Sequence, residues 1–417
     1  MCPHNRRRCV TGRGNASRRL VPNWHWEIGV GIGSGASIGG RGLGIKNKRG
    51  GVFVIAGGVE GRILKWKELL VKRGTAGRGL TQVYAQYSAP TDLMNQLAEH
   101  ERHELRVVAA GLHRRGSALV GSAAATLWGI WTGPHSNSRG QTSQTIESIY
   151  ASRLPAEHVV EMAGLRFTTP GRTVYDIARR QTTFSGVLAV DSYLAPGWDG
   201  EYEDYGGADL RLEELCALIE RPHVRGGARA RVCLELADRR AESPLESLKR
   251  TALATSGSDL IRTIEPQAHI RLDGRLVRAD ALINGMIWLE ADGRMKYDGA
   301  FGRSTTEEIR YERNREKQLH NAGFLVVRVG AREIYRDCEF GDTGISGSYP
   351  SRHQRMVLRD GVWLSRGELD SSRRGGRPKS QNMWQPTLAN GGVIEKVERA
   401  LLDLEHRHRR FGFARAI

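Results

Sequence analysis

The sequence has no long apolar run. Its longest, Val52 to Ala56, falls far short of the roughly 20 residues that a bilayer-spanning helix needs. The Arg-rich N-terminus is followed by a stretch that is mostly glycine, without the apolar core of a signal peptide. A cytoplasmic, soluble chain with no membrane partner is the expectation. Cysteine is scarce and scattered: Cys2, Cys9, Cys216, Cys233 and Cys338 are odd in number and contain no C-x-x-C pair. That spacing argues against a zinc knuckle and against a secreted disulfide scaffold. The histidines show no ligand spacing, and no Ser-His-Asp set is evident. The glycine-dense stretch from Gly29 to Gly44 closes no G-x-G-x-x-G register, since Gly29 leads to Ser34 and Gly33 to Ile38. With no amphipathic helix after it, this is not a dinucleotide loop. Aromatics are sparse at 7%, but 39% apolar residues in 417 allow a sizeable core and two or three domains.

The net charge is +17, unevenly spread. Residues 1–50 hold ten Lys and Arg against the single acid Glu27, and residues 341–417 hold fourteen against eight. The stretch between them is nearly balanced, with 39 bases and 37 acids. Basic tails hold nucleic acid without specificity, so the charge by itself does not establish DNA binding and the motifs must carry that argument.

Periodicity divides the rest. Residues 1–60 read as a disordered Gly/Arg-rich tail. Over 61–100, Ile63, Trp66, Leu69 and Leu70 form a helix stripe, followed by a basic turn and a strand at Leu80–Tyr84, the end of a partial winged helix. Residues 101–235 form a mixed middle region, with Leu105, Val108 and Leu112 on a helix face. There Thr169 is the expected N-cap, Pro170 the first helical residue, and Arg172 and Asp176 can pair four apart. Residues 240–340 are the informative part. Ser243-Pro244-Leu245-Glu246 is a capping box that opens a helix. Strands at 268–272, 276–283 and 286–291 follow, turned by Asp273-Gly274 and Asn284-Gly285. Ser304-Thr305-Thr306-Glu307 opens a second helix, Gly323 ends it, and 324–329 is a buried strand. The expected order is α-β-β-β-α-β, an α/β (α+β) core. Residues 341–417 read as a low-order basic tail with one terminal helix. The abrupt changes of composition near 60 and 340 are also what foreign ends around a family core would show.

The chemistry lies in three acids among apolar neighbours: Asp280, Glu290 and Asp292. Carboxylates inside apolar strands are costly unless paired or bound to metal. Two acids on adjacent strands can hold a divalent cation through hard oxygen ligands, and such an ion activates water and neutralises a phosphoryl oxygen. A two-residue loop at Asn284-Gly285 would put Asp280 and Glu290 on opposite faces. A three-residue loop, Asn284 to Met286, sets them directly opposite each other and leaves Ala279, Ala281, Ile283, Ile287 and Leu289 on the other face. The second register is expected, built with a Gly bulge.

These residues, with the strings SPLESLKR, VRADALI, LEADGRMKY and YERNREKQLHNAGFLVVRV, resemble the PD-(D/E)XK, restriction-endonuclease-like superfamily. Among its branches they resemble actinobacterial very-short-patch-repair-endonuclease-like proteins of unknown function. The resemblance covers roughly 240–335. The upstream GLRFTTPGRTVYDIA is similar to the AbiEi-type antitoxin region that precedes such domains. The resemblance implies Mg²⁺- or Mn²⁺-dependent hydrolysis of DNA phosphodiesters. It implies that Asp280 and Glu290 bind the metal and that Asp292 stands where the superfamily's Lys would be, assisting water or metal. Lys296 and Arg315, beside Glu316, would stabilise the phosphate, and Glu246 matches the acid on the first helix. The missing Lys supports an alternative: an antitoxin-like DNA-binding regulator with an inactive nuclease fold, whose partners are operator DNA or a toxin.

Overall fold

The computed structural model describes residues 44–46, 52–54, 58–72, 79–114, 116–133, 154–195, 207–221, 225–292, 305–342, 355–359, 361–365 and 392–411. Two units are distinct, residues 1–57 and residues 58–417. In the first, strands β1 (Gly44–Lys46) and β2 (Val52–Val54) pair antiparallel. The rest of the account concerns the second.

Helix α1 (Val59–Leu69) buries Ile63 and Trp66 of the expected stripe together with Val59, while Leu69 and Leu70 are half-buried against the core. Strands β3 (Val71–Lys72), β4 (Leu80–Tyr84) and β5 (Tyr87–Pro90) form an antiparallel sheet in the order β3-β5-β4. Helices α2 (Thr91–Gln96), α3 (Glu99–His113) and α4 (Gly121–Trp128) follow. A hairpin of β6 (Val159–Met162) and β7 (Leu165–Thr168) leads into α5 (Pro170–Arg180), α6 (Thr183–Leu194), α7 (Ala208–Ile219) and α8 (Gly227–Glu235). Pro170 is the first residue of α5 and Arg172 pairs with Asp176 at 2.9 Å. Thr169 stands at the N-cap position, but its hydroxyl makes no capping bond.

The C-terminal part begins with α9 (Pro244–Thr255), where Glu246 N donates to Ser243 Oγ at 3.3 Å as the capping box requires. Strands β8 (Thr263–Pro266), β9 (His269–Leu272), β10 (Arg275–Arg278), β11 (Ala281–Ile283) and β12 (Ile287–Asp292) follow. Then come α10 (Thr305–Asn321), β13 (Leu325–Gly330), α11 (Ala331–Asp342), β14 (Val357–Arg359), β15 (Val362–Leu364) and α12 (Val393–Phe411). A six-stranded mixed sheet runs β13-β12-β11-β8-β15-β14, with β12 and β13 parallel and the other pairs antiparallel. The chain is thus mixed α/β.

Two expectations need correction. The three strands expected between the helices are five, because one long hairpin is bent. Arg278 pairs with His269 and Ala281 with Pro266, so a single register runs through both halves. At the bend Gln267 takes a positive φ of 54°, costly for a residue with a Cβ. Ala279 N still donates to Ala268 O, and Gln267 N to Asp280 O. The near half, β8–β11, lies in the large sheet, whereas the distal half, β9–β10, forms a separate two-stranded ribbon. Hydrophobic alternation reports faces and is blind to such a bend. The second correction is the tail: β14 and β15 lie in the segment read as low-order, and β15 pairs with β8, putting Trp363 fully inside. The terminal helix appears as expected, with Val393, Val397 and Leu401 buried. The R-G-G-R-P string at Arg374–Pro378 lies outside the described residues.

The segments drawn over 61–340 share one continuous core, from Val59 through Val190 and Leu253 to Leu401. A buried polar network crosses it. Asp191 of α6 is 0% exposed and pairs with Arg250 of α9. It also accepts from the Ser247 hydroxyl and from Asp238 N, the latter at 2.7 Å. Arg250 lies 5.1 Å from the Trp363 ring, whose Nε1 donates to Asp238 Oδ2 at 3.4 Å. Among the described residues no helix is long and apolar enough to cross a membrane.

Asp191→Ala leaves the Arg250 guanidinium buried without its carboxylate, so a loss of about 3–5 kcal/mol is expected in urea unfolding. Burial pushes the Asp191 carboxyl up to about 6, above the unfolded value of about 3.9. Between those values the folded chain holds a proton that the unfolded chain has released. This group's contribution to stability therefore falls as pH rises through that window. Subtracting an Asp191→Asn pH series from that of the parent isolates this slope.

Candidate functional site

Helix α9 and the bent hairpin bring the site together. The loop that turns β11 into β12 is the three-residue one: Ile283 pairs with Ile287, Met286 N donates to Ile283 O, and Asn284 and Gly285 take φ of 53° and 69°. Asn284 is fixed there because its Oδ1 accepts from Arg262 N and Thr263 N while its Nδ2 donates to Leu260 O. Ala281 pairs with Leu289, the last pair of the ladder. The ladder stops one step short of the expected Asp280 and Glu290 pair. Ala281, Ile283, Ile287 and Leu289 join the main core, and Leu282 and Trp288 line a second cluster on the opposite face. Ala279 departs from its expected face and joins that second cluster, since the bend breaks the alternation at Asp280.

At the break the Asp280 side chain replaces a ladder partner: Ala291 N donates to Asp280 Oδ2 at 2.7 Å. The same oxygen lies 3.4 Å from Lys249 Nζ. Lys249 is 1% exposed and Asp280 34%. Glu246 stands one turn before Lys249 on α9. It accepts from Gln267 Nε2 at 2.6 Å and from Glu242 N at 3.2 Å, so it both caps the start of the helix and fastens the bend. Burial holds the Lys249 amine below its ordinary range; the carboxylates of Asp280, Glu246 and Glu290 pull it upward but do not win. Glu246, Lys249, Gln267 and Asp280 line one small cleft with Arg240 and Arg250.

Glu290 is enclosed by donors. Trp288 Nε1 and Arg315 Nη2 donate to its Oε1 at 2.8 and 2.7 Å, and Arg328 Nε of β13 lies 3.4 Å from Oε2. Arg315, from α10, also rests 5.6 Å from the Trp288 ring and donates to Arg278 O at 3.3 Å. Glu316 reaches Arg328 at 3.8 Å. Of the residues expected at a site, Glu246 and Asp280 thus line the cleft at Lys249, and Glu290 pairs with Arg315 on the adjoining strand. Asp292 ends β12, but its side chain and all of Lys296 lie outside the described residues.

Sequence reasoning missed Lys249, Gln267 and Arg328. Lys249 had a signal, because it stands three residues after Glu246 on the same helix face. Gln267 and Arg328 had none, since their roles depend on the bend and on the parallel pairing of β13 with β12. The arrangement sets two hard-oxygen carboxylates beside three cations, which suits an anionic oxygen substrate. Among the described residues no three His, Cys, Asp or Glu side chains gather as a metal group. Mg²⁺ is commonly held by one or two carboxylates, so the pair Asp280 and Glu290 fits it by donor chemistry.

No protein-family model, curated protein or solved structure matches the chain.

Replacing Lys249 with Met keeps the volume and removes a buried charge. Asp280 is exposed enough to be solvated alone, so Lys249→Met is expected to raise unfolding stability by about 1 kcal/mol. A lysine retained only for stability would give a loss in the same thermal melt.

Proposed function

We propose that residues 240–340 form a restriction-endonuclease-like, very-short-patch-repair-like core that hydrolyses phosphodiester bonds of DNA with Mg²⁺ or Mn²⁺. The observation that carries the reading is the pairing of Asp280 with the buried amine of Lys249 in a cleft that Glu246 also lines, with Glu290 on the adjoining strand β12. A buried lysine is a costly choice for stability alone, and perturbed groups in a cleft are candidates for chemistry. Asp280 and Glu290 would hold the divalent ion, which when bound supplies a Lewis acid to a phosphoryl oxygen. Lys249 Nζ, kept below its usual range, is the group able to exchange a proton beside the phosphate, the role the missing superfamily lysine leaves open. Arg315 and Arg328 orient Glu290 and add positive charge against the phosphate oxygens. Asp292 and Lys296 remain proposed members of the same site.

The rival reading, an antitoxin-like regulator binding operator DNA or a toxin, needs a recognition helix with free bases. In α1 the bases are engaged within the fold: Arg62 Nη2 donates to Leu127 O, Lys65 pairs with Glu101, and Lys67 Nζ donates to Ala163 O.

The test is nicking of supercoiled plasmid by the full chain with Mg²⁺ or Mn²⁺. Asp280→Asn and Glu290→Gln are expected to lower the rate at least about 100-fold at a temperature where circular dichroism shows both folded; Asp280→Asn, which leaves the Lys249 amine buried without its nearest carboxylate, also lowers the unfolding midpoint. Parent protein inactive with both ions, or both variants as active as the parent, overturns the reading.

A further inference from the structure

The distal ribbon β9–β10 has two unlike faces. Its Asp273-Gly274 turn, at φ 47° and 78°, is the two-residue type that holds strands in tight register. Leu276 pairs with Arg271 and Arg278 with His269, so these four side chains share one face. On the other face Ile270, Leu272 and Val277 pack on the cluster of Trp288, Leu319 and Phe324. That anchors the ribbon and leaves the first face to solvent: His269, Arg271, Leu276 and Arg278 are all exposed. Arg275, the first residue after the turn, pairs with Leu272 and so belongs to the other face, but at the end of the ribbon it too is exposed. The one acid on the ribbon is Asp273.

Leu276 is 64% exposed, the most exposed large apolar side chain among the described residues. It gains nothing for the fold there, where burial of a leucine would contribute to stability. The ribbon is also joined to the acid pair. Arg278 is gripped by both carboxylate oxygens of Glu242, and its carbonyl accepts from the Arg315 that binds Glu290.

We propose that β9–β10 is a DNA-binding arm, with Arg271 and Arg275 on backbone phosphates and Leu276 pressed into a base step of a duplex. This rests on the nuclease reading for its choice of polyanion. A two-stranded ribbon fits the major groove. An apolar tip between arginines has the composition of side chains that press into a base step. The bend that makes Asp280 a site residue also swings the arm out beside it, so the arm holds the duplex where the acids act.

The experiment is fluorescence anisotropy of a labelled DNA duplex with the full chain in EDTA, where no cleavage occurs. Arg271→Glu with Arg275→Glu is expected to weaken binding at least about tenfold and to make the log–log salt dependence shallower by about two, at roughly 0.9 per phosphate contact. Arg180→Glu with Arg231→Glu, exposed positions in α5 and α8, changes the net charge equally and is expected to leave both quantities nearly unchanged. Equal losses from the two pairs mean that only overall charge matters and overturn the arm. No loss from the arm pair also overturns it, as does arm-dependent binding of duplex RNA in preference to DNA. Leu276→Ser is expected to abolish the fluorescence rise of 2-aminopurine in the bound duplex; an unchanged rise removes leucine from the base step and overturns that contact. A chain that binds through the arm yet never nicks plasmid overturns the nuclease reading and leaves the arm standing.

Discussion

A lysine amine almost wholly inside a protein needs carboxylates around it, and the C-terminal half is arranged to supply them. An uncompensated buried ion costs several kcal/mol. Glu246 comes from the same helix one turn earlier, Asp280 from the pivot of the bent hairpin, and Glu290 from the neighbouring strand. The positive φ of Gln267 is part of the same construction. It breaks the ladder so that the Asp280 carboxylate, rather than a backbone carbonyl, receives Ala291 N–H. Gln267 then bonds Glu246, tying the strained residue to the helix that carries the amine.

Helix α9 is held from its other side as well. The Asp191–Arg250 pair and the Ser247 hydroxyl fix it to α6, and Trp363 of β15 closes over Arg250. Polar groups buried this deeply tolerate few alternative geometries, because each unmade bond leaves a desolvated group. Lys249 and Arg250 are neighbours in sequence and serve different sides of one helix, one toward Asp280 and one toward Asp191. The position of the site therefore depends on residues some sixty and more than a hundred positions away along the chain.

Elements with a local cause were legible in the sequence. The stripe of α1, the capping box of α9, the strand at Leu80–Tyr84 and the terminal helix all follow from periods and caps within a few residues. The three-residue loop at Asn284 was legible too, since only that register gives one apolar face. The split of the long strand was not, because a bend leaves the alternation on either side intact. Nor was the pairing of β15 with β8, which joins residues about a hundred apart through backbone bonds that any side chain permits.

The site divides in the same way. By itself the sequence determined the three-residue turn that sets β11 against β12, and with it that Asp280 and Glu290 stand beside apolar neighbours, since register and burial are consequences of pattern. Only the tertiary structure decided which cations meet them. Lys249, Arg315 and Arg328 come from a helix before the hairpin, a helix after it and the parallel strand β13. Long-range packing brings these elements together, and a solvated basic residue and a buried one look alike in a string of letters. The physical reason is that desolvation, which turns an ordinary lysine into a perturbed one, is set by what covers it and not by its neighbours in the chain.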